Sequence, residues 1–140
     1  MTTLVVDASV AIKWVVQEQG TAEALLLRRH NLSAPELLIP ECANILWKKV
    51  RRRELTEQEA RLAARLLERA DIDLAPTRRL LEPATMLAIA LDHPAYDCVY
   101  LALAATLACD FVTADERLSR KTLPRGYSSR VLHLSDVGRL

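Results

Sequence analysis

The chain has 140 residues, of which 51% are hydrophobic and 26% charged, and its formal net charge is +1. This length favours one domain over residues 1–140, built around one sizeable core. The near-neutral charge does not mark the whole chain as a nucleic-acid binder, so any electrostatic interaction depends on where the charges lie.

The N-terminal segment MTTLVVDAS carries an acid within its apolar run and no basic region. It is therefore expected to be the first strand rather than a signal peptide. The uncharged run 98–109 is too short to span a bilayer, so we expect a soluble cytoplasmic protein that does not enter a membrane. The spacing of Cys42, Cys98 and Cys109 fits neither a disulfide framework nor a paired zinc motif, and we expect these side chains to be small buried hydrophobes.

Short apolar segments alternate with helical ones along the chain. Five of them have the length and composition of buried parallel strands. These are residues 4–6, 32–34, 72–74, 111–113 and 131–134. The helical segments are, in chain order, 8–16 (a helix or tight turn), 21–29, 36–53, 57–70, 80–92, a central helix that follows the His93-Pro94 break and contains the uncharged run 98–109, and a single turn at 116–119.

One helix start carries a strong local signal. Thr56 is followed three residues later by Glu59, which is the pattern of a capping box. Strands separated by helices imply βαβ units, and hence a parallel sheet with helices on both faces. The predicted architecture is a three-layer α/β/α sandwich with a central parallel sheet of about five strands.

Four acidic residues stand at the ends of these predicted elements. Asp7 and Asp115 follow the first and fourth strands, where each could cap the next helix. Asp97 lies in the first turn of the central helix, where the helix dipole favours an anion. Glu41 is harder to explain, because it falls within the apolar stripe of its helix and Lys48 is two turns away.

The carboxyl ends of parallel strands share one edge of a sheet, and ligands bind there. All four acids can meet at that edge, where they would hold protons at neutral pH unless a cation offset their repulsion. An all-oxygen acidic site suits Mg²⁺ or Mn²⁺, and phosphodiester hydrolysis by an activated water is the chemistry that such a site performs well. The histidines, His30, His93 and His133, are scattered in sequence and are expected to be structural or on the surface.

Four motifs in this order resemble those of PIN-domain ribonucleases, and more specifically of VapC-type toxins of toxin–antitoxin pairs. They are VVDASV at 5–10, PECANIL at 40–46, YDCVYLALA at 96–104 and VTADERL at 112–118. Each motif is weak alone, but the ordered set is specific and spans essentially the whole chain. The catalytic acids of that family correspond to Asp7, Glu41, Asp97 and Asp115.

The resemblance implies an endoribonuclease dependent on Mg²⁺ or Mn²⁺, with the metal held mainly by Asp7 and Asp97. Glu41 and Asp115 would complete the site and orient the attacking water. The supporting polar residues implied by the family are Ser9, Asn44 and Thr113. The implied partners are RNA, a second copy in a homodimer, and a VapB-like antitoxin whose C-terminal segment crosses the site, with a higher toxin–antitoxin assembly possible.

Two basic clusters could attract RNA to an acidic pocket. One lies at the exit of the Glu41 helix and the other follows Asp115. The candidate RNA contacts are Lys48, Lys49, Arg52, Arg117, Arg120 and Lys121. For the first cluster, a solvated helix end that complements the dipole is an equally good explanation. Trp14 and Trp47 could stack on bases, but we expect them to fill the core or an interface.

Three other functions remain open from the sequence. A non-toxin PIN nuclease of RNA processing would share the four acids. A non-catalytic module that binds RNA or a protein would share the fold, although it would gain nothing from the repulsion between the acids. A receiver-like phosphoacceptor is disfavoured because Asp7 stands alone after the first strand and the third predicted strand ends without an aspartate.

Overall fold

A parallel sheet of five strands positions the rest of the molecule, which a computed structural model describes over residues 2–139. The strands are β1 Thr3–Val6, β2 Asn31–Pro35, β3 Asp73–Ala75, β4 Asp110–Thr113 and β5 Val131–His133. They lie in the order β3-β2-β1-β4-β5, and every neighbouring pair is parallel. The carboxyl ends of all five therefore lie at one edge, with β1 in the centre.

The helices lie between successive strands and after the last one. In chain order the α-helices are α1 Ala8–Ala11, α2 Thr21–Leu26, α3 Leu38–Arg51, α4 Glu57–Glu68, α5 Leu81–Leu91, α6 Ala95–Leu107 and α7 Glu116–Ser119. Short 3₁₀ segments occupy Ile12–Trp14, Leu27–Arg29, Arg78–Leu80 and Leu134–Arg139. The capping box expected at the start of α4 is present, with both Thr56–Glu59 hydrogen bonds formed.

Alternate strand residues point to opposite faces of the sheet, and helices cover both faces. On one face Val5 and Phe111 pack into a cluster with α6. On the other face Leu4 and Val112 pack with Ala24 of α2 and with the C-terminal 3₁₀ segment. The predicted three-layer α/β/α sandwich is confirmed.

Helix α6 lies deepest in the molecule. Five successive residues, 100–104, are at most 3% exposed, as expected for a helix that is apolar on every side. The ring of Tyr100 stacks on that of Phe111 in β4 with centroids 5.7 Å apart, which fixes the helix against the sheet. None of the helices between residues 2 and 139 combines the length and hydrophobicity needed to cross a membrane.

The predicted boundaries differ from the observed ones by a few residues. Strand β3 lies one residue later than predicted, because the Ile72 N–H donates to the Ala70 carbonyl in a turn and pairing begins at Asp73. Strand β2 continues through Pro35, which can end a strand without an N–H to donate.

Cys42 and Cys98 are buried as expected, and burial raises the pKa of the Cys42 thiol to about 12, whereas Cys109 is only partly buried.

Candidate active site

The four acids come from four different elements and line one pocket of about 490 Å³. Asp7 follows β1 and Asp115 follows β4, so two adjacent strands deliver them to the same sheet edge. Glu41 lies in the first turn of α3 and Asp97 in the first turn of α6. The predicted supporting residues Ser9 and Asn44 line the same pocket.

Asp7 is held from three sides at the end of β1. The hydroxyls of Ser9 and Thr113 each donate to one of its carboxylate oxygens at 2.5 Å, and the Val10 N–H donates at 3.3 Å. The carboxyl is only 7% exposed, and this burial raises its pKa to about 6, although the hydroxyl hydrogen bonds oppose the shift and the charge of Asp97 adds to it. An ionised Asp7 is therefore costly at neutral pH unless a cation lies nearby.

The same hydroxyls connect Asp7 to the end of β4. Ser9 Oγ accepts the Ala114 N–H at 3.0 Å, and Thr113 Oγ1 accepts the Asp115 N–H at 3.1 Å. Asp115 in turn caps α7, because its Oδ1 accepts the N–H groups of Arg117 and Leu118. The capping roles considered from the sequence therefore exist for Asp7 and Asp115, and they use only part of each carboxylate.

Glu41 is half-buried, and its partner is neutral. The Tyr100 hydroxyl donates to Glu41 Oε1 at 2.5 Å. Burial raises the pKa of Glu41, the hydrogen bond opposes that rise, and the charge of Asp97 adds to it. Sequence reasoning considered only a basic partner for Glu41 and missed Tyr100, although its spacing three residues after Asp97 puts both side chains on one face of α6.

Asp97 also has a partner that the sequence interpretation missed. His93 Nε2 lies 2.6 Å from Asp97 Oδ2. Asp92, which ends α5 in the left-handed conformation with φ 48°, turns the chain so that the His93 N–H donates to the Ala88 carbonyl. His93 was expected to be structural or on the surface, and the i, i+4 spacing to Asp97 was the available signal.

The donor set suits a hard divalent cation. Carboxylate and hydroxyl oxygens dominate the polar lining of the pocket, and Mg²⁺ and Mn²⁺ prefer such ligands. Over residues 2–139 no three His, Cys, Asp or Glu side chains are close enough together to ligate one ion by themselves. The residues fit an ion that takes one or two carboxylates and keeps several waters, which is the usual behaviour of Mg²⁺.

The predicted RNA contacts divide into exposed and engaged side chains. Lys48, Arg52 and Arg117 are exposed. Lys49 is instead mostly buried, and its Nζ pairs with Glu18 at 2.6 Å. Lys49 is therefore less available to RNA than the exposed cations, although its assignment from the sequence stays a prediction.

The other two candidates make weaker contacts of their own. Arg120 lies 3.7 Å from Glu116 on the exposed side of α7, and Lys121 Nζ donates to the Leu91 carbonyl at 3.4 Å.

Of the two tryptophans, Trp14 is partly buried and donates to the Ala24 carbonyl, as expected for an interior residue. Trp47 is 54% exposed, with the Arg51 guanidinium 5.4 Å from its ring centroid.

Comparison with known proteins agrees with this arrangement. The sequence model of the PIN domain matches residues 4–122, which is most of the chain. The chain belongs to the PIN-domain family. The family resemblance inferred from the four motifs is thereby confirmed.

Relatives of this PIN domain span most of its length. It is 34% identical over 116 residues to "Ribonuclease VapC9" of Mycobacterium tuberculosis, covering 83% of this chain and 88% of the relative. It is 33% identical over 125 residues to "Ribonuclease VapC3" of Pyrobaculum aerophilum, covering 84% and 93%. Among solved structures, PAE2754 from Pyrobaculum aerophilum superimposes with a TM-score of 0.71 at 19% identity, covering 99% of this chain and 91% of that one.

Proposed function

We propose that this PIN-domain protein is a metal-dependent endoribonuclease that acts as the toxin of a toxin–antitoxin pair. One observation carries the proposal. Four carboxylates from four elements line a single pocket, and the partners that hold two of them, Asp7 and Glu41, are neutral hydroxyls. Their negative charge is therefore available to a cation rather than cancelled by a base.

Asp7 and Asp97 are the proposed principal ligands of Mg²⁺ or Mn²⁺, with Glu41 and Asp115 completing the site. PIN-domain ribonucleases are in general metal dependent, and the oxygen-rich pocket supports the same requirement here. When bound, a divalent ion supplies a water that ionises near neutral pH and a positive charge beside the phosphate. No side-chain nucleophile is then needed.

The protein's own groups have the remaining tasks. Glu41 and Asp115 are suited to accept hydrogen bonds from the attacking water and to orient it towards the phosphorus. The exposed cations Lys48, Arg52 and Arg117 are proposed to bind RNA phosphates. Because the pocket itself repels a polyanion, binding should depend on these cations and weaken with salt.

The test is cleavage of short fluorogenic RNAs by the purified protein with Mg²⁺, and with EDTA in its place. Asp7→Asn keeps the shape of the side chain and removes the charge, so it should abolish cleavage as completely as EDTA does. Asp71→Asn is the matched control, because Asp71 is exposed and lies in the loop before β3. Cleavage that survives both EDTA and Asp7→Asn would refute the proposal.

The toxin role has two proposed partners. A VapB-like antitoxin should abolish cleavage when its C-terminal segment covers the pocket, and adding the product of the neighbouring reading frame to the cleavage assay tests this.

A homodimer is supported by the exposed apolar residues of α5, where Leu81 and Ile89 are each 70% exposed and Met86 is 59% exposed. Light scattering of wild type and Ile89→Glu, with Leu26→Glu on α2 as control, measures the oligomeric state.

A non-toxin PIN nuclease of RNA processing remains the alternative with the same chemistry. It predicts cleavage in vitro without growth arrest when the protein is expressed alone. A non-catalytic module predicts RNA binding without cleavage at any metal concentration.

A further inference from the structure

We infer that Tyr100 is a positioning residue of the acidic site, which holds the Glu41 carboxylate in one orientation by donating a hydrogen bond to Oε1. The inference rests on the proposed function and assigns a part of that site to a residue outside the four acids. Three observations carry it: the rigidity of the tyrosine ring, the freedom that Glu41 would otherwise have, and the neutral character of the donor.

The ring of Tyr100 is fixed in the core. Tyr100 is 1% exposed, and its ring stacks on Phe111 of β4 with an interplanar angle of 10°. Phe111 is fully buried and belongs to a strand paired on both sides. The hydroxyl is therefore presented from a rigid support, and it has little freedom to follow a moving partner.

Glu41 has no such support of its own. It is half-buried in the first turn of α3, and a glutamate side chain has three rotatable bonds, which leave its carboxylate free to take several orientations. The 2.5 Å hydrogen bond from Tyr100 restricts it at one oxygen. Oε2 is then the oxygen that Tyr100 does not engage, in a side chain that lines the pocket.

A hydroxyl is also the donor that this site requires. An Arg or Lys partner would hold Glu41 equally well but would offset the charge that attracts a cation. The Tyr100 hydroxyl donates its proton to Glu41 without bringing a positive charge into the pocket. Ser9 and Thr113 hold Asp7 in the same neutral way.

Helix α6 carries both an acid of the site and the hydroxyl that orients a second acid. Asp97 and Tyr100 are three residues apart on α6, so one face of this helix supplies an acid of the site and the group that orients another acid from α3. Because α6 is the most buried helix, the relative position of the two groups is set by the core.

The alternative is that Glu41 merely satisfies a buried phenol, and Tyr100→Phe separates the two explanations. This variant keeps the ring and its stacking and removes only the hydroxyl. Tyr127→Phe is the matched control, since the Tyr127 hydroxyl donates to the Leu101 carbonyl of the same helix at 2.6 Å and lies outside the pocket. Thermal unfolding should be similar for the two variants.

The deciding readout is Mn²⁺ affinity, measured by electron paramagnetic resonance on the protein without RNA, followed by kcat and KM for RNA cleavage. Loss of a hydrogen bond that orients a group around a metal site typically lowers metal affinity or activity by about 10–100-fold. We expect a loss of about tenfold or more in Mn²⁺ affinity and in kcat for Tyr100→Phe, with KM unchanged, and wild-type values for Tyr127→Phe.

Each other outcome is decisive. Wild-type Mn²⁺ affinity in Tyr100→Phe would overturn the positioning role and leave the nuclease proposal intact. A wild-type protein that binds Mn²⁺ but does not cleave RNA would refute the nuclease proposal, and the affinity of Tyr100→Phe would still decide the role of the hydroxyl. A wild-type protein that binds no Mn²⁺ would overturn both.

Discussion

The raised pKa of Asp7 predicts that the metal-free protein loses stability as the pH rises. Burial moves this pKa from its ordinary value of 3.8 to about 6 in the folded protein. Between these two values the folded state holds a proton that the unfolded state has released, so the unfolding free energy falls with increasing pH. The contribution of Asp7 is fully present below pH 3.8 and is lost as the pH passes through 6.

The magnitude follows from the size of the shift. At 1.36 kcal/mol per pKa unit, a shift from 3.8 to about 6 corresponds to about 3 kcal/mol. Glu41 has a raised pKa too and contributes in the same direction. Glu18 and Asp110 have lowered pKa values because of hydrogen bonds and charges from Lys13, Lys49 and Arg130, and they contribute in the opposite direction at lower pH. The slope of the unfolding free energy against pH therefore contains contributions from several groups.

The difference in unfolding free energy between wild type and Asp7→Asn isolates the contribution of Asp7. Urea denaturation of wild type and Asp7→Asn in EDTA, at several values between pH 4 and 7.5, gives the difference in unfolding free energy at each pH. The amide side chain of the variant does not titrate, so we expect wild type to lose about 2.5 kcal/mol relative to the variant across this range, because pH 4 already lies just above the unfolded pKa of 3.8. Millimolar Mg²⁺ should reverse the trend near pH 7 in wild type alone, because a cation stabilises the ionised carboxylate.

A difference that stays flat with pH would refute the burial argument for Asp7. A difference that changes in the opposite direction would mean that the hydroxyls of Ser9 and Thr113 stabilise the ionised form by more than burial destabilises it. Either result would also remove the electrostatic reason for expecting a cation in this pocket.

Other substitutions test separate parts of the structure. Thr113→Val removes the hydroxyl that joins Asp7 to the Asp115 N–H, and we expect about 1–3 kcal/mol less stability in urea denaturation and at least tenfold slower RNA cleavage. Thr56→Ala breaks the capping box of α4 away from the site, so about 1 kcal/mol of stability should be lost while cleavage is unchanged. Arg117→Ala should reduce the salt dependence of RNA binding in fluorescence anisotropy, whereas Lys49→Ala should leave that slope unchanged and lower stability through loss of its ion pairs.

The architecture could be predicted from the sequence because the patterns that indicate strands and helices are local and recur along the chain. Periodicity and composition predicted all five strands, and the acids that follow two strands and begin two helices indicated where the pocket lies. The errors in boundaries arose where a single hydrogen bond decided the outcome, as at Ile72, whose N–H is used in a turn before β3 begins. Such hydrogen bonds depend on the local backbone conformation, and the amino-acid composition of the segment does not indicate them.

The partners of the acids were harder to predict for a different reason. Ser9 and Thr113 lie within the motifs that contain Asp7 and Asp115, so the family resemblance identified them. Tyr100 contacts Glu41 from 59 residues away, and only the tertiary fold, which brings residues of α3 and α6 into one core cluster, puts the two side chains together. The ion pair of Lys49 was not predicted because a basic run looks uniform in sequence, while one side of the helix faces Glu18.

The partners of the four acids explain how this edge of the sheet tolerates so much negative charge without a metal. Asp7 holds a proton near pH 6, Glu41 receives a hydrogen bond from a phenol, Asp97 contacts His93, and Asp115 is stabilised by the N–H groups of α7. Each arrangement lowers the energy of a carboxyl group by a different means, and none introduces an Arg or Lys into the pocket. A cation that enters therefore competes with a proton and with water rather than with a fixed positive charge. It follows that metal affinity should rise with pH through the range in which Asp7 ionises.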